Sequence, residues 1–82
     1  MDRQPEVHRL KISQTFFGDV KECKKNFELR LNDRDYQVGD IVVLEEWTGK
    51  YYTGDGVARK IKYVLKDCPE YGLMSGYCIF GW

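Results

Sequence analysis

The stretch from Lys25 to Asp40 constrains the fold of this chain more than any other. Phe27, Leu29 and Leu31 recur at every second residue, with Glu28 and Arg30 between them. Successive side chains of a β-strand point to opposite faces, so this spacing predicts a strand with two chemically different faces. The apolar set is expected to face the core. Glu28 and Arg30 then share the other face, either as a solvated ion pair or as a binding site on the outside of a small barrel. The stretch continues into Asn32-Asp33-Arg34-Asp35, a turn by composition, and Val38-Gly39-Asp40 opens the next strand.

The rest of the chain reads as short strands around one helix. Val7 to Ile12 alternates, with His8, Leu10 and Ile12 on one face. Ser13 is placed to cap a helix, and Phe16, Phe17, Val20 and Cys23 give that helix an apolar stripe. Lys21, Glu22, Lys24 and Lys25 form its last turn. Ile41 to Leu44 is continuously apolar, which predicts a strand buried on both faces. Thr48-Gly49-Lys50 and Gly54-Asp55-Gly56 read as turns around a short Tyr51-Tyr52-Thr53 segment. Val57 to Lys66 reads as one long strand, Cys68 to Gly72 as a break, and Tyr77 to Trp82 as the last strand. With 82 residues, the chain makes one domain spanning residues 1–82. The expected fold class is α+β: a small, mostly antiparallel β-barrel of five to six strands, with one main helix across one opening.

Charge and cysteine content narrow the function classes. The formal net charge is zero, which excludes a strongly basic nucleic-acid binder but not one with a local basic patch. Arg9 to Arg34 holds seven basic and four acidic residues, Asp35 to Gly56 five acidic and one basic, and Val57 to Lys66 four basic and no acidic. Cys23, Cys68, Cys78 and the single His8 show no metal-ligand spacing, so no metal and no cofactor are expected. The first ten residues carry no apolar core and no run reaches membrane length. The expectation is a cytoplasmic protein with reduced thiols and no membrane partner, either a monomer or a weak homodimer.

An ordered series of motifs resembles a known family. It runs through His8-x-Leu10-Lys11-Ile12, Phe17-x-x-Val20, Lys25-x-Phe27-Glu28-x-Arg30-x-Asn32-Asp33-Arg34-x-Tyr36-x-Val38-Gly39-Asp40, Tyr52-Thr53-Gly54, Ile61-x-Tyr63-Val64-Leu65 and Gly72-Leu73-x-x-Gly76-Tyr77. The series resembles the small stand-alone bacterial and phage domains of unknown function in the ASCH group of the PUA-like superfamily. The resemblance covers the chain from about His8 onward. It implies a PUA-like barrel with a cleft between helix and strands that takes RNA or a modified base. One branch of that group hydrolyses N4-acetylated cytidine with a Lys after the first helix, a Thr three residues later and a distal Glu. Lys25 matches the Lys, Glu28 stands where the Thr would be, and the distal Glu has no clear counterpart. Cys23 stands where a small residue, commonly Gly, is expected at the helix exit.

These readings single out Lys25, Glu28, Arg30, Arg34, Tyr52 and Thr53 as candidate RNA- or ligand-binding residues. Lys25 and Arg30 would hold phosphate, Glu28 would accept from a base amino group, and an aromatic from Trp47, Tyr51 or Tyr52 would stack. Arg34 is free to reach a ligand or solvent, and Tyr52-Thr53 would form the cleft rim. Lys60, Lys62 and Lys66 form a basic row that suits a phosphate track or a solvated edge. His8, on an apolar face, reads as a satisfied core histidine. Three functions follow: an RNA- or nucleotide-binding domain, an amidohydrolase for an N-acylated nucleobase with Lys25 and Glu28 as the catalytic pair, or a protein-interaction module.

Overall fold

The computed structural model describes residues 3–82. Six strands, one α-helix and one short 3-10 turn follow along the described chain: β1 (Val7–Ser13), α1 (Gln14–Lys21), β2 (Phe27–Leu31), β3 (Ile41–Trp47), β4 (Tyr52–Lys60), β5 (Tyr63–Lys66), the 3-10 turn (Pro69–Tyr71) and β6 (Tyr77–Gly81). The strands form two three-stranded sheets, ordered β1-β3-β4 and β2-β6-β5. β1 runs parallel to β3, and every other pair is antiparallel. No helix among the described residues is long and apolar enough to cross a membrane.

The expected α+β barrel is therefore corrected to a mostly β fold of two packed sheets, with no closed barrel. β1, β4, β2 and β5 are all edge strands, and closure would require pairing at two seams, one between β4 and β5 and the other between β1 and β2. Side chains fill that seam instead. Arg30 donates through Nη2 to the backbone carbonyl of Lys11, and Arg34 Nη1 donates to that of Arg9 at 3.0 Å. Two guanidinium groups thus occupy the carbonyls of β1 that a neighbouring strand would have used.

Local chemistry explains the elements. Ser13 Oγ accepts from the Thr15 N–H at 3.2 Å and caps α1 as expected. The helix ends earlier than expected, at Lys21. Cys23 adopts φ = 63°, its N–H bonds the Val20 carbonyl at 3.1 Å, and the Lys24 N–H bonds the Asp19 carbonyl at 2.8 Å. This is a Schellman motif with cysteine in the left-handed position that glycine occupies at least cost. Gly54-Asp55-Gly56 lies within β4 and forms no chain reversal. Glu45 pairs with Gly56 and Trp47 with Tyr52, so β4 spends four steps where β3 spends two and bulges outward. The expected strand from Val57 to Lys66 is two strands. Ile61 is fully buried at the break, and the chain there crosses from one sheet to the other.

The core lies between the sheets. β1 contributes Leu10 and Ile12, α1 Phe17 and Val20, β3 Val42 and Leu44, and β6 Cys78 and Phe80. Tyr36 packs at 4.7 Å from the Phe80 ring and 4.9 Å from His8. β3 buries only one face, since Ile41 and Val43 are half-exposed, and Cys23 is exposed.

β2 reverses the expected orientation. Glu28 faces inward and is buried, whereas Phe27, Leu29 and Leu31 are 49%, 56% and 51% exposed. These three share the outer face with residues of the neighbouring strands. The register aligns Phe27 with Gly81 and Tyr63, Leu29 with Ile79 and Leu65, and Leu31 with Tyr77. The outer face of this sheet is a grid without a charged residue.

Candidate functional site

The Schellman exit of α1 directs the chain so that Lys25 meets the inner face of β2. Lys25 Nζ hydrogen-bonds Glu28 Oε1, and Arg30 Nε donates to Glu28 Oε2 at 2.9 Å. The Glu28 side chain is 7% exposed, Lys25 17% and Arg30 25%. A carboxylate this buried requires cationic partners, and it has two. The cluster carries one net positive charge, from two cations and one anion.

Two exposed rings wall the cluster. Lys25 Nζ lies 5.1 Å from the centroids of both Phe16 and Phe27, within range for cation–π attraction. Phe16, Lys25, Phe27, Glu28 and Leu29 line a cleft of about 380 Å³, within the size range of small-ligand sites. Beside it, the Trp82 N–H bonds the Asn26 carbonyl at 3.1 Å. The Trp82 indole Nε1 is buried and has no hydrogen-bond partner among the described residues. Buried donors are rarely left unpaired.

Of the candidate residues, the structure brings Lys25, Glu28 and Arg30 together. It does not bring Arg34, Tyr52 or Thr53 to them. Arg34 is engaged on β1. Thr53 Oγ1 donates to Glu46 at 2.8 Å. Tyr52 packs edge-on to Trp47 at 4.9 Å, and Lys11 Nζ sits 4.0 Å over the Trp47 ring. Tyr52 lines a separate groove of about 370 Å³ with Arg9, Glu45 and Asp55. The aromatic walls of the cleft are Phe16 and Phe27, not Trp47, Tyr51 or Tyr52. Sequence reasoning placed Phe16 on the helix stripe and Phe27 in the core. Their flanking of Lys25 was the available signal.

A second polar cluster is structural. Asp40 is fully buried and accepts five hydrogen bonds. Arg3 Nη1 and the Glu6 N–H reach Oδ1 at 2.7 and 3.0 Å, while Arg3 Nη2, His8 Nε2 and the Gln37 N–H reach Oδ2 at 3.3, 2.9 and 3.1 Å. Burial alone would raise the carboxyl pKa, but the bonds from Arg3, His8 and the two backbone N–H groups outweigh it and hold it well below the usual carboxylate range. Glu6, His8 and Asp40 place their ligand-type atoms within 4.8 Å of one another. The donors already surrounding Asp40 make the trio a latch between the N-terminal segment, β1 and the turn before β3. His8 is thus a core histidine with a partner, and Asp40 precedes β3 instead of opening it.

Comparison with known proteins places the chain. It is 38% identical over 65 residues to the uncharacterized 12.9 kDa protein in the GpA 3′ region of Escherichia phage P2, covering 79% of this chain and 56% of that protein. The match thus spans little more than half of the phage relative's length. The family model described as a domain of unknown function (DUF3850) matches residues 7–82, which include both sheets, the helix and the cleft, and the chain belongs to that family.

Proposed function

We propose that this chain is an RNA- or nucleotide-binding domain whose ligand enters the cleft of Lys25, Glu28, Phe16 and Phe27. One observation carries the reading: a buried carboxylate held between two cations behind a pair of exposed aromatic rings. The motif resemblance to the ASCH group supports the same ligand class. A base stacking on an exposed phenylalanine gains roughly 1–3 kcal/mol. Glu28 accepts from an exocyclic amino group, and Lys25 turns its ammonium to a carbonyl or phosphate oxygen. Arg30, bonded to the Lys11 carbonyl, holds the Glu28 carboxylate in place. The single net positive charge of the Lys25–Glu28–Arg30 cluster suits one or two phosphates, so log affinity falls with log salt at a slope of about −1. Fluorescence titration of labelled single-stranded oligonucleotides tests this. Glu28→Gln and Phe27→Ala are expected to weaken binding at least about tenfold. Equal affinity in both variants overturns the reading, as does a slope implying many phosphates.

The direct Lys25–Glu28 hydrogen bond in a mostly buried setting favours a second reading, amide hydrolysis of an N-acylated nucleobase such as N4-acetylcytidine. Lys25 and Glu28 would then exchange the proton between attacking and leaving groups. Release of acetate from acetylated cytidine tests it, and turnover no greater than that of Lys25→Ala removes it.

A further inference from the structure

We infer that the outer face of the β2-β6-β5 sheet is the contact surface of a symmetric homodimer. The face is uncharged across all three strands. Tyr63 is 66% exposed, Leu65 38% and Met74, at its border beside Leu29 and Tyr77, 68%. Together with Leu29 and Leu31 of β2, and with Phe27 left to the cleft, the bare area comes to about 600 Å², using ordinary side-chain sizes. That is at the top of the roughly 300–600 Å² range for the largest apolar patch on a typical monomer and about three quarters of the roughly 800 Å² that each partner buries in a standard interface, whose rim is polar.

The occupant that fits is a second copy. A two-fold interface sets a surface against itself, so any charge on it meets the same charge or must find a partner elsewhere on the patch. This grid carries none, and self-association costs no like-charge repulsion. Two such sheets stack face to face about 10 Å apart, interdigitating side chains as in a β-sandwich. Stacking also removes the asymmetry of a sheet covered on one side only, since the inner face is already packed on the core.

Leu31 and Leu65 lie on this face and outside the cleft lining, so charging them leaves the ligand site intact. Both are exposed in the monomer, so Leu31→Glu and Leu65→Glu are expected to retain the fold, which circular dichroism checks. Sedimentation equilibrium of the wild-type chain from about 5 to 200 µM is expected to show a reversible dimer of the 9.7 kDa protomer. Each variant is expected to raise the dissociation constant at least about 100-fold. A wild-type chain that stays monomeric at the highest concentration overturns the inference. So does a dimer of undiminished affinity in both folded variants, which would place the contact elsewhere. Monomeric wild type that binds neutral phospholipid vesicles through Leu31 and Leu65 would assign the face to a lipid surface and overturn it equally.

Discussion

Asp40→Asn removes one negative charge from a fully buried carboxylate that accepts five hydrogen bonds. The asparagine keeps one oxygen and presents an N–H₂ where the other oxygen stood. If that oxygen is Oδ1, then Arg3 Nη1 and the Glu6 N–H keep their acceptor. His8 can change tautomer and accept from the new amide. The Gln37 N–H then faces a donor, whereas Arg3 Nη2, on a side chain 42% exposed, turns to solvent. A buried donor without an acceptor costs roughly 1–3 kcal/mol, so the substitution costs about 2 kcal/mol at neutral pH. For a domain of this size that lowers Tm by roughly 8–16 °C. Urea unfolding followed by tryptophan fluorescence measures it directly. Acid supplies the control. The folded carboxyl titrates below its ordinary value of 3.8, whereas in the unfolded chain it has that ordinary value. Its stabilisation is complete above the unfolded-state value and is lost as pH falls through the lowered folded-state one. The gap between wild type and Asp40→Asn therefore closes below about pH 4. A gap under about 1 kcal/mol at pH 7, or one that widens with acid, refutes the latch.

Three further outcomes follow from named contacts. Arg30→Met leaves Glu28 with one cation and the Lys11 carbonyl without its donor, and is expected to cost about 1–3 kcal/mol by chemical denaturation. Cys23→Gly relieves a non-glycine residue at φ = 63° and is expected to raise stability by up to about 1 kcal/mol, whereas Cys23→Ala gains nothing. Ser13→Ala deletes the cap on Thr15 and is expected to cost about 1 kcal/mol in the same assay.

Much of the local structure was legible in the sequence. Alternation placed His8, Leu10 and Ile12 on the inner face of β1, and Ser13 announced the helix start. Two failures share a cause. Period two shows that β2 has two faces without showing which is inside. Here the charged face turns inward because Glu28 finds Lys25 and Arg30, and the seam needs Arg30 at the Lys11 carbonyl. Likewise, one strand from Val57 to Lys66 would set Val57, Arg59, Ile61, Tyr63 and Leu65 on one face, yet Tyr63 and Leu65 point outward, because the crossing between sheets at Ile61-Lys62 shifts the phase by one residue. The barrel expectation failed at the same seam, where side chains replace a strand pairing. The role of Asp40 was hidden because Arg3 and His8 lie 37 and 32 residues away. Lys25, Glu28 and Arg30 were legible as a cluster because they fall within six residues of chain, whereas Tyr52 and Thr53, read as a cleft rim, lie at a separate groove, and Arg34, read as free, is held by the Arg9 carbonyl of β1.

The cleft itself is tested most directly by a two-dimensional amide NMR titration with short single-stranded RNA, cytidine and N4-acetylcytidine. Saturable shifts gathered at Lys25, Glu28, Phe27 and the Trp82 indole N–H are the predicted result, with the tightest ligand deciding between binding and hydrolysis. An unchanged spectrum at millimolar ligand, or shifts confined to the Tyr52 groove, would contradict the account.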